Sequence, residues 1–333
     1  MRAAVYYSNS DVRLEQRPRP TAGTGELVVR IEASGICGSD VMEWYRIRKA
    51  PIVLGHEIAG VVEQVGEGVR AFRTGDRVAA THHVPCNTCR YCLSDRHSVC
   101  DTLRTTTFDP GGFAEYVRLP AINVDRGTFR IPDHVGFDEA SFVEPLACCL
   151  RALRIAGLRA GDRVAVLGAG ISGVLMLQAA RALGAGWIAA TDVAPYRLEA
   201  ARRFGADAVI DARGDVPAGL ADVVVVCTAA LPAIAQAWRC VDRGGAVVLF
   251  APVAPGEQIP FPAHDLWKDG VRIVHSYAGP PADMRTAIDL IAARRVDAAG
   301  MITHRLPLAD TGAGFRLVAD AGPSLKVVIE PQR

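Results

Sequence analysis

The stretch Arg163-Val-Ala-Val-Leu-Gly-Ala-Gly-Ile-Ser-Gly173 decides how the second half of the chain is read. Arg163 to Leu167 is a near-continuous apolar run, as a strand buried on both faces of a parallel sheet requires. Three glycines follow at once as Gly168-x-Gly170-x-x-Gly173, and Val174 to Leu183 has a helical pattern. An acid, Asp192, ends the next apolar run, Trp187-Ile-Ala-Ala-Thr-Asp192. Three glycines alone say little. Between a strand and a helix, with an acid about 20 residues on, they form a turn that binds a dinucleotide pyrophosphate. The first glycine allows the tight turn, the second lets the phosphates approach, and the third lets helix pack on strand. The helix N-terminus favours their charge. Asp192 suits the ribose hydroxyls and repels a 2′-phosphate, so NAD is expected over NADP. Arg197 flanks the same ribose and keeps NADP open as an alternative.

Working outward, Ala208-Val-Ile-Asp211, Asp222-Val-Val-Val-Val-Cys227, Gly245-Ala-Val-Val-Leu-Phe250 and Arg272-Ile-Val-His-Ser-Tyr277 are further short apolar strands with helical stretches between them. Alternating strands and helices predict an α/β fold with a doubly wound parallel sheet over residues 146–281. After it come a helix (Met284 to Ala293) and two strands, Ile302-Thr-His-Arg-Leu306 and Leu325-Lys-Val-Val-Ile329. These are expected to return to the first domain.

Residues 1–145 have a different texture. Leu27-Val-Val-Arg-Ile-Glu32, Gly60-Val-Val-Glu-Gln-Val-Gly66, Asp76-Arg-Val-Ala-Ala80 and Gly111-Gly-Phe-Ala-Glu-Tyr-Val117 read as half-buried strands with glycine turns, a small barrel-like β domain. Three chemical groups punctuate it: Gly35-Ile-Cys37-Gly-Ser39-Asp40, Gly55-His56-Glu57 and Phe142-Val-Glu144-Pro145. Each alone has a bland reading as core or surface. Together Cys37, His56 and Glu144 supply the three mixed ligands of a catalytic zinc with one open position, and Glu57 is a spare carboxylate beside them. Glu144 lies amid Phe142, Val143, Leu146, Ala147 and Leu150, and a carboxylate in such company needs a cation.

Cys86-Asn-Thr-Cys89-Arg-Tyr-Cys92 and Cys100 form the second candidate metal site. Two-residue gaps turn successive thiolates toward one point, and four thiolates close a tetrahedral structural zinc site with no vacant position. Zinc is expected to supply much of the folding energy of this lobe, residues 86–100.

Composition excludes several roles. The 333 residues allow about two domains. Charges nearly cancel, 37 basic against 36 acidic, so there is no basic field for nucleic acid and no cationic stretch for a membrane surface. The partner is expected to be a small molecule. The opening residues lack the apolar core and cleavage site of a secretory signal, and nine cysteines with four at metal spacing suit a reducing compartment, so a cytoplasmic location is expected.

These residues together resemble the zinc-dependent medium-chain alcohol/polyol dehydrogenases over essentially the whole chain. The resemblance implies a split GroES-like catalytic domain (residues 1–145 and about 282–333) around a Rossmann domain. It also implies a homodimer or homotetramer, two zinc ions per chain, and hydride transfer between a secondary alcohol and NAD. Glu144-Pro145 places the chain nearer the sorbitol- and threonine-dehydrogenase-like branch, hence a polyol, sugar, cyclitol or amino-sugar-type substrate. Gly168, Gly170, Ile171, Ser172, Gly173, Asp192, Arg197 and Cys227 make up the expected cofactor set. Ser39 is expected to relay the proton. Relatives often carry His where this chain has Met42, so Glu43 or bulk water is the expected onward acceptor. Trp44, Tyr45 and Phe108 are candidate pocket walls; Arg46, Arg48 and Lys49 read as a solvated charge run. Two other readings stand beside this one: a zinc-independent quinone or enone reductase on the same fold, and a non-catalytic NAD- and zinc-binding protein.

Overall fold

The computed structural model describes residues 1–320 and 324–333. The chain divides into two units: Met1–Ala147 with Gly279–Arg294 and Ala298–Arg333, and Cys148–Ala278 with Arg295–Asp297.

The second unit holds a six-stranded parallel sheet. Its spatial order is Ala208–Asp211, Trp187–Asp192, Arg163–Leu167, Ala221–Val226, Val241–Leu249 and Arg272–His275. The chain enters at Arg163–Leu167, winds outward on one side, then returns to wind outward on the other. The order therefore reverses between Arg163–Leu167 and Ala221–Val226, where ligands of such sheets bind. Leu167 pairs with Val226 there, and the Cys227 N–H donates to Leu167 O at 2.8 Å, so Gly168 and Cys227 leave the sheet side by side. Helix Ile171–Ala182 starts directly at this point. Gly173 is required by close approach: a Cβ there would lie 1.9 Å from Gly168 O.

In the first unit, the sheet runs Ile302–Pro307, Lys326–Glu330, Leu27–Gly35, Glu57–Val65, Arg77–Ala80, Thr128–Arg130, with Tyr116–Leu119 also paired to Leu27–Gly35. Leu27, Val29 and Ile31 alternate into a core with Ile58, Val62, Val78, Val117 and Leu119. A second core gathers Tyr6, Leu54, Phe113 and Phe315 beneath the hairpin Arg2–Ser8/Asp11–Gln16. No described helix is long and apolar enough to cross a membrane.

One expected strand is shorter than its pattern. Gly111 to Phe113 are not in a strand, Ala114 makes only an isolated bridge to Ala3, and continuous strand structure begins at Tyr116. The glycine pair instead lies against the Gly55 turn. The Gly112 N–H donates to Gly55 O at 2.9 Å and the Phe113 N–H to Leu54 O at 3.0 Å. Gly55 has φ +94°, and a Cβ on it would lie 2.8 Å from Phe113 N. This contact holds His56 at the head of its strand. Gly55→Ala combines a left-handed backbone with a backbone clash, each costing about 1–3 kcal/mol. It is expected to lower the urea midpoint with the m-value unchanged. An unchanged midpoint would show that the turn relaxes freely.

Candidate active site

Cys37 follows the strand Leu27–Gly35; His56 and Glu57 head the strand Glu57–Val65 that pairs with it, Gly35 opposite Glu57. This register brings the ligand atoms of Cys37, His56 and Glu57 within 4.8 Å of one another. A thiol, an imidazole and a carboxylate at that spacing suit zinc in a three-ligand site. Glu144, the expected third ligand, is outside this group. It is buried in the first turn of the helix Val143–Ala156. Glu57, expected as the spare carboxylate of this set, is in the group because it is the neighbour of His56 and lies opposite Gly35. Glu144 comes on a different element.

Glu57 is 1 % exposed and is ion-paired with Lys326, itself 0 % exposed, whose Nζ also donates to Ile36 O at 3.3 Å. Gly35 makes room for the pair: a Cβ there would lie 2.6 Å from Lys326 Cε. Lys326 Nζ also sits 5.4 Å over the Phe142 ring, so the segment that carries Glu144 reaches the same buried pair.

Asp40 is fully buried. Its Oδ2 accepts the Cys37 N–H at 3.1 Å, and its Oδ1 lies 3.4 Å from His56 Nδ1 and 3.6 Å from Arg46 Nη2. Burial alone would raise its pKa; the charge of the adjacent His56, then that of Arg46, outweighs this and holds it below the usual carboxylate range. Burial likewise would depress His56, but Asp40 outweighs it and raises the imidazole well above its ordinary value. With Nδ1 turned to Asp40, Nε2 is the nitrogen left for a metal.

Glu43, one of the expected onward acceptors, is engaged by a different residue. Glu43 accepts the Asn9 N–H at 3.0 Å. Arg46 occupies the place beside the serine: Nη2 donates to Ser39 Oγ at 3.0 Å and Nε to Ser39 O at 2.9 Å. With a side chain only 14 % exposed, Arg46 is not part of a solvated charge run, whereas Arg48 and Lys49 are exposed. Trp44 and Tyr45 are 39 % and 38 % exposed, their rings 5.8 Å apart. Phe108 is 3 % exposed and packs in the β core.

Two residues at the site were not singled out from the sequence. His82 and His83 follow the strand Arg77–Ala80. The His82 ring lies 4.8 Å from that of His56 and 3.7 Å from that of His83. His83 Nδ1 is 2.9 Å from Leu103 O. Burial pushes His82 well below its ordinary pKa and His83 down to about 3. The available signal was the doublet itself, just ahead of the cysteine run.

The Sγ atoms of Cys86, Cys89, Cys92 and Cys100 also gather within 4.8 Å. Three of the separations are 3.9, 3.5 and 3.7 Å (Cys86–Cys92, Cys89–Cys92, Cys86–Cys100). These are too long for disulfides and match the edge of a zinc–thiolate tetrahedron, roughly 3.8 Å. Hydrogen bonds from Thr88 and Cys89 pull the Cys86 thiol down to about 5, while burial pushes Cys92 up to about 12.

At the glycine turn of the second unit, both Asp192 oxygens are held by backbone: Oδ2 by Ala169 N–H at 2.8 Å and Oδ1 by Ala194 N–H at 2.9 Å. Arg197 Nη1 lies 3.8 Å from Asp192 Oδ2 and close to Gly170. Ile171 and Ser172 open the helix, and burial pushes the Cys227 thiol up to about 12.

Residues 23–133 match the model of the alcohol dehydrogenase GroES-like domain, and residues 172–293 that of the zinc-binding dehydrogenases. The sorbitol dehydrogenase of Gallus gallus is 30 % identical, with 98 % of this chain and 96 % of that protein aligned. The chain belongs to the zinc-dependent medium-chain alcohol/polyol dehydrogenase family. An alcohol dehydrogenase of Geobacillus stearothermophilus is 33 % identical over 89 % of this chain and 90 % of its own length. Among solved structures, a protein described as a zinc-binding dehydrogenase from Sinorhizobium meliloti 1021, bound to NADP, superposes with TM-score 0.89 at 29 % identity over 99 % of both chains. The fold is thus GroES-like plus Rossmann-type, and the protein is an oxidoreductase of this dehydrogenase family that uses zinc and a nicotinamide cofactor.

The ion pair generates a test that needs no substrate. Lys326→Met leaves the Glu57 charge buried and uncompensated, and is expected to cost about 3–5 kcal/mol in urea unfolding. Adding Glu57→Gln is expected to recover most of that loss. Equal loss in the single and double variants would mean that Lys326 acts through packing alone.

Proposed function

We propose that the protein catalyses reversible oxidation of a secondary alcohol to a ketone, on a polyol, sugar, cyclitol or amino-sugar-type substrate, with NAD as hydride acceptor. The observation that carries this reading is the gathering of Cys37, His56 and Glu57 within 4.8 Å, backed by the buried Asp40 behind His56. A zinc ion held by Cys37, His56 and a carboxylate supplies Lewis acidity toward a substrate oxygen, and NAD supplies the hydride acceptor. Asp40 fixes the His56 tautomer. Lys326 balances the Glu57 charge, which leaves Glu144 as the carboxylate that completes the set, with Glu57 in support or in exchange with it. Ser39 Oγ accepts from Arg46 through one lone pair. Its second lone pair takes the proton of the substrate hydroxyl while its own O–H passes a proton to water. Arg46 has no acceptor and ends no relay; it orients the serine.

The cysteine lobe holds a second, structural zinc, giving two per chain. The wider picture is a cytoplasmic homodimer or homotetramer. Asp192, pinned on two backbone N–H groups, favours the ribose hydroxyls of NAD over a 2′-phosphate.

The test is NADH formation across polyols, cyclitols, amino sugars and simple secondary alcohols, with zinc measured on the same sample. About two zinc per chain and turnover on a polyhydroxylated alcohol are expected. The kcat/KM for NAD should exceed that for NADP by roughly tenfold or more. Full turnover after chelation would overturn the zinc-dependent reading, and a preference for NADP would overturn the cofactor assignment. The third ligand is decided separately. Glu144→Gln should reduce zinc from about two to about one per chain, whereas Glu57→Gln should retain both. The reverse pattern would make Glu57 the ligand.

A further inference from the structure

We infer that His82 is a substrate-binding residue which recognises a second hydroxyl, on the carbon next to the one oxidised, and so selects vicinal polyols over simple alcohols. The inference rests on the dehydrogenase reading and adds to it the chemical feature that the site selects.

The backbone around His82 is pinned. Asn123 Nδ2 donates to Thr81 O at 3.0 Å and to His82 O at 3.2 Å, the His83 N–H donates to Thr81 Oγ1 at 3.3 Å, and the Val84 N–H donates to Thr106 Oγ1 at 2.9 Å. His83 is held through Nδ1 by Leu103 O. The His82 ring is therefore presented from a fixed loop and packs among His56, His83 and, at 6.1 Å, the edge of Phe108. Yet its Nδ1, closed to solvent, has no hydrogen-bond partner among the described residues. A sheltered ring nitrogen without a partner is costly and calls for a reason. A structural stacking role would be served as well by an apolar ring, which carries no such cost.

The position supplies the reason. The ring centroid is 4.8 Å from that of His56, so the His82 ring borders the Cys37, His56 and Glu57 group, within the span of a hydroxyl on the carbon next to one whose oxygen meets that group. A neutral imidazole offers one donor and one acceptor, the complement of an alcohol hydroxyl. Its terminal torsion is broad, so a modest ring rotation turns either nitrogen to a ligand. A mono-alcohol leaves the nitrogen unmet; a vicinal diol satisfies it. Sites built to bond a hydroxyl discriminate strongly against analogues that lack it.

The experiment compares the parent enzyme with His82→Phe and His82→Gln on 2,3-butanediol and 2-butanol, NAD saturating, with zinc measured on each. His82→Phe is expected to lower kcat/KM on the diol roughly 10- to 100-fold and to change it less than about twofold on the mono-alcohol, with zinc content unchanged. His82→Gln, which keeps a donor and an acceptor, should recover part of the diol activity. Equal losses on both alcohols, or loss of zinc, would show that His82 acts through His56 and overturn the inference. No loss on either alcohol would also overturn it. Should the parent oxidise neither alcohol, both lie outside its substrate range, the dehydrogenase reading is decided by the wider polyol panel, and calorimetric binding of sorbitol to the NAD-loaded protein decides His82 by itself. Tighter binding by the parent than by His82→Phe supports the role, and equal affinity removes it.

Discussion

Everything at the metal-capable group depends on one buried ion pair. Glu57 and Lys326 are separated by 269 residues in sequence and meet with both side chains out of water. Two charges are withdrawn from solvent only where they neutralise each other and bond their surroundings. Lys326 meets that condition through Glu57 and the Ile36 carbonyl, and Gly35 yields the space. The pair ties the C-terminal strand Lys326–Glu330 to the two strands that carry Cys37 and His56. A chain that lost this strand would leave Glu57 charged and alone beside the ligands.

His56 is organised from three directions. The Gly55 turn sets its backbone against Gly112 and Phe113, Asp40 lies beside Nδ1, and the His82 ring sits tilted against the imidazole. The first contact is steric and the second electrostatic. The third carries a ring nitrogen, Nδ1, with no hydrogen-bond partner among the described residues. That division separates parts that hold the imidazole from a part that reads what approaches it. Arg46 has a related duty at Ser39, where a cation that cannot accept a proton orients a hydroxyl that can.

The two candidate metal groups illustrate opposite designs. The four thiols are brought together by local sequence, within one short lobe, and backbone N–H groups point at the sulfurs of Cys86 and Cys100. Their four sulfurs lie within 4.8 Å of one another. The Cys37, His56 and Glu57 group is assembled from separate strands and is supported by a buried carboxylate and a buried lysine, so its geometry belongs to the sheet register.

The sequence by itself determined what is local. Strand, glycine turn, helix and Asp192 are contiguous, so the dinucleotide turn was legible from spacing alone. So were the cysteine lobe and most strands of both sheets, because alternation and apolar runs are properties of short windows. Only the tertiary structure decided what depends on distant pairing. Glu57 rather than Glu144 gathers with Cys37 and His56 because Gly35 lies opposite Glu57 in the register. Lys326 reads as an ordinary strand residue until it meets Glu57, and Arg46 reads as surface charge until it meets Ser39. The Gly111-Gly112 segment leaves its strand pattern because close backbone approach to Gly55 outweighs sheet pairing. His82 becomes a site residue only when its strand places it beside His56. Glu57 and Lys326, and His56 and His82, are distant partners chosen by the fold, whereas Arg46 and Ser39 are only seven residues apart and meet because the chain between them turns back.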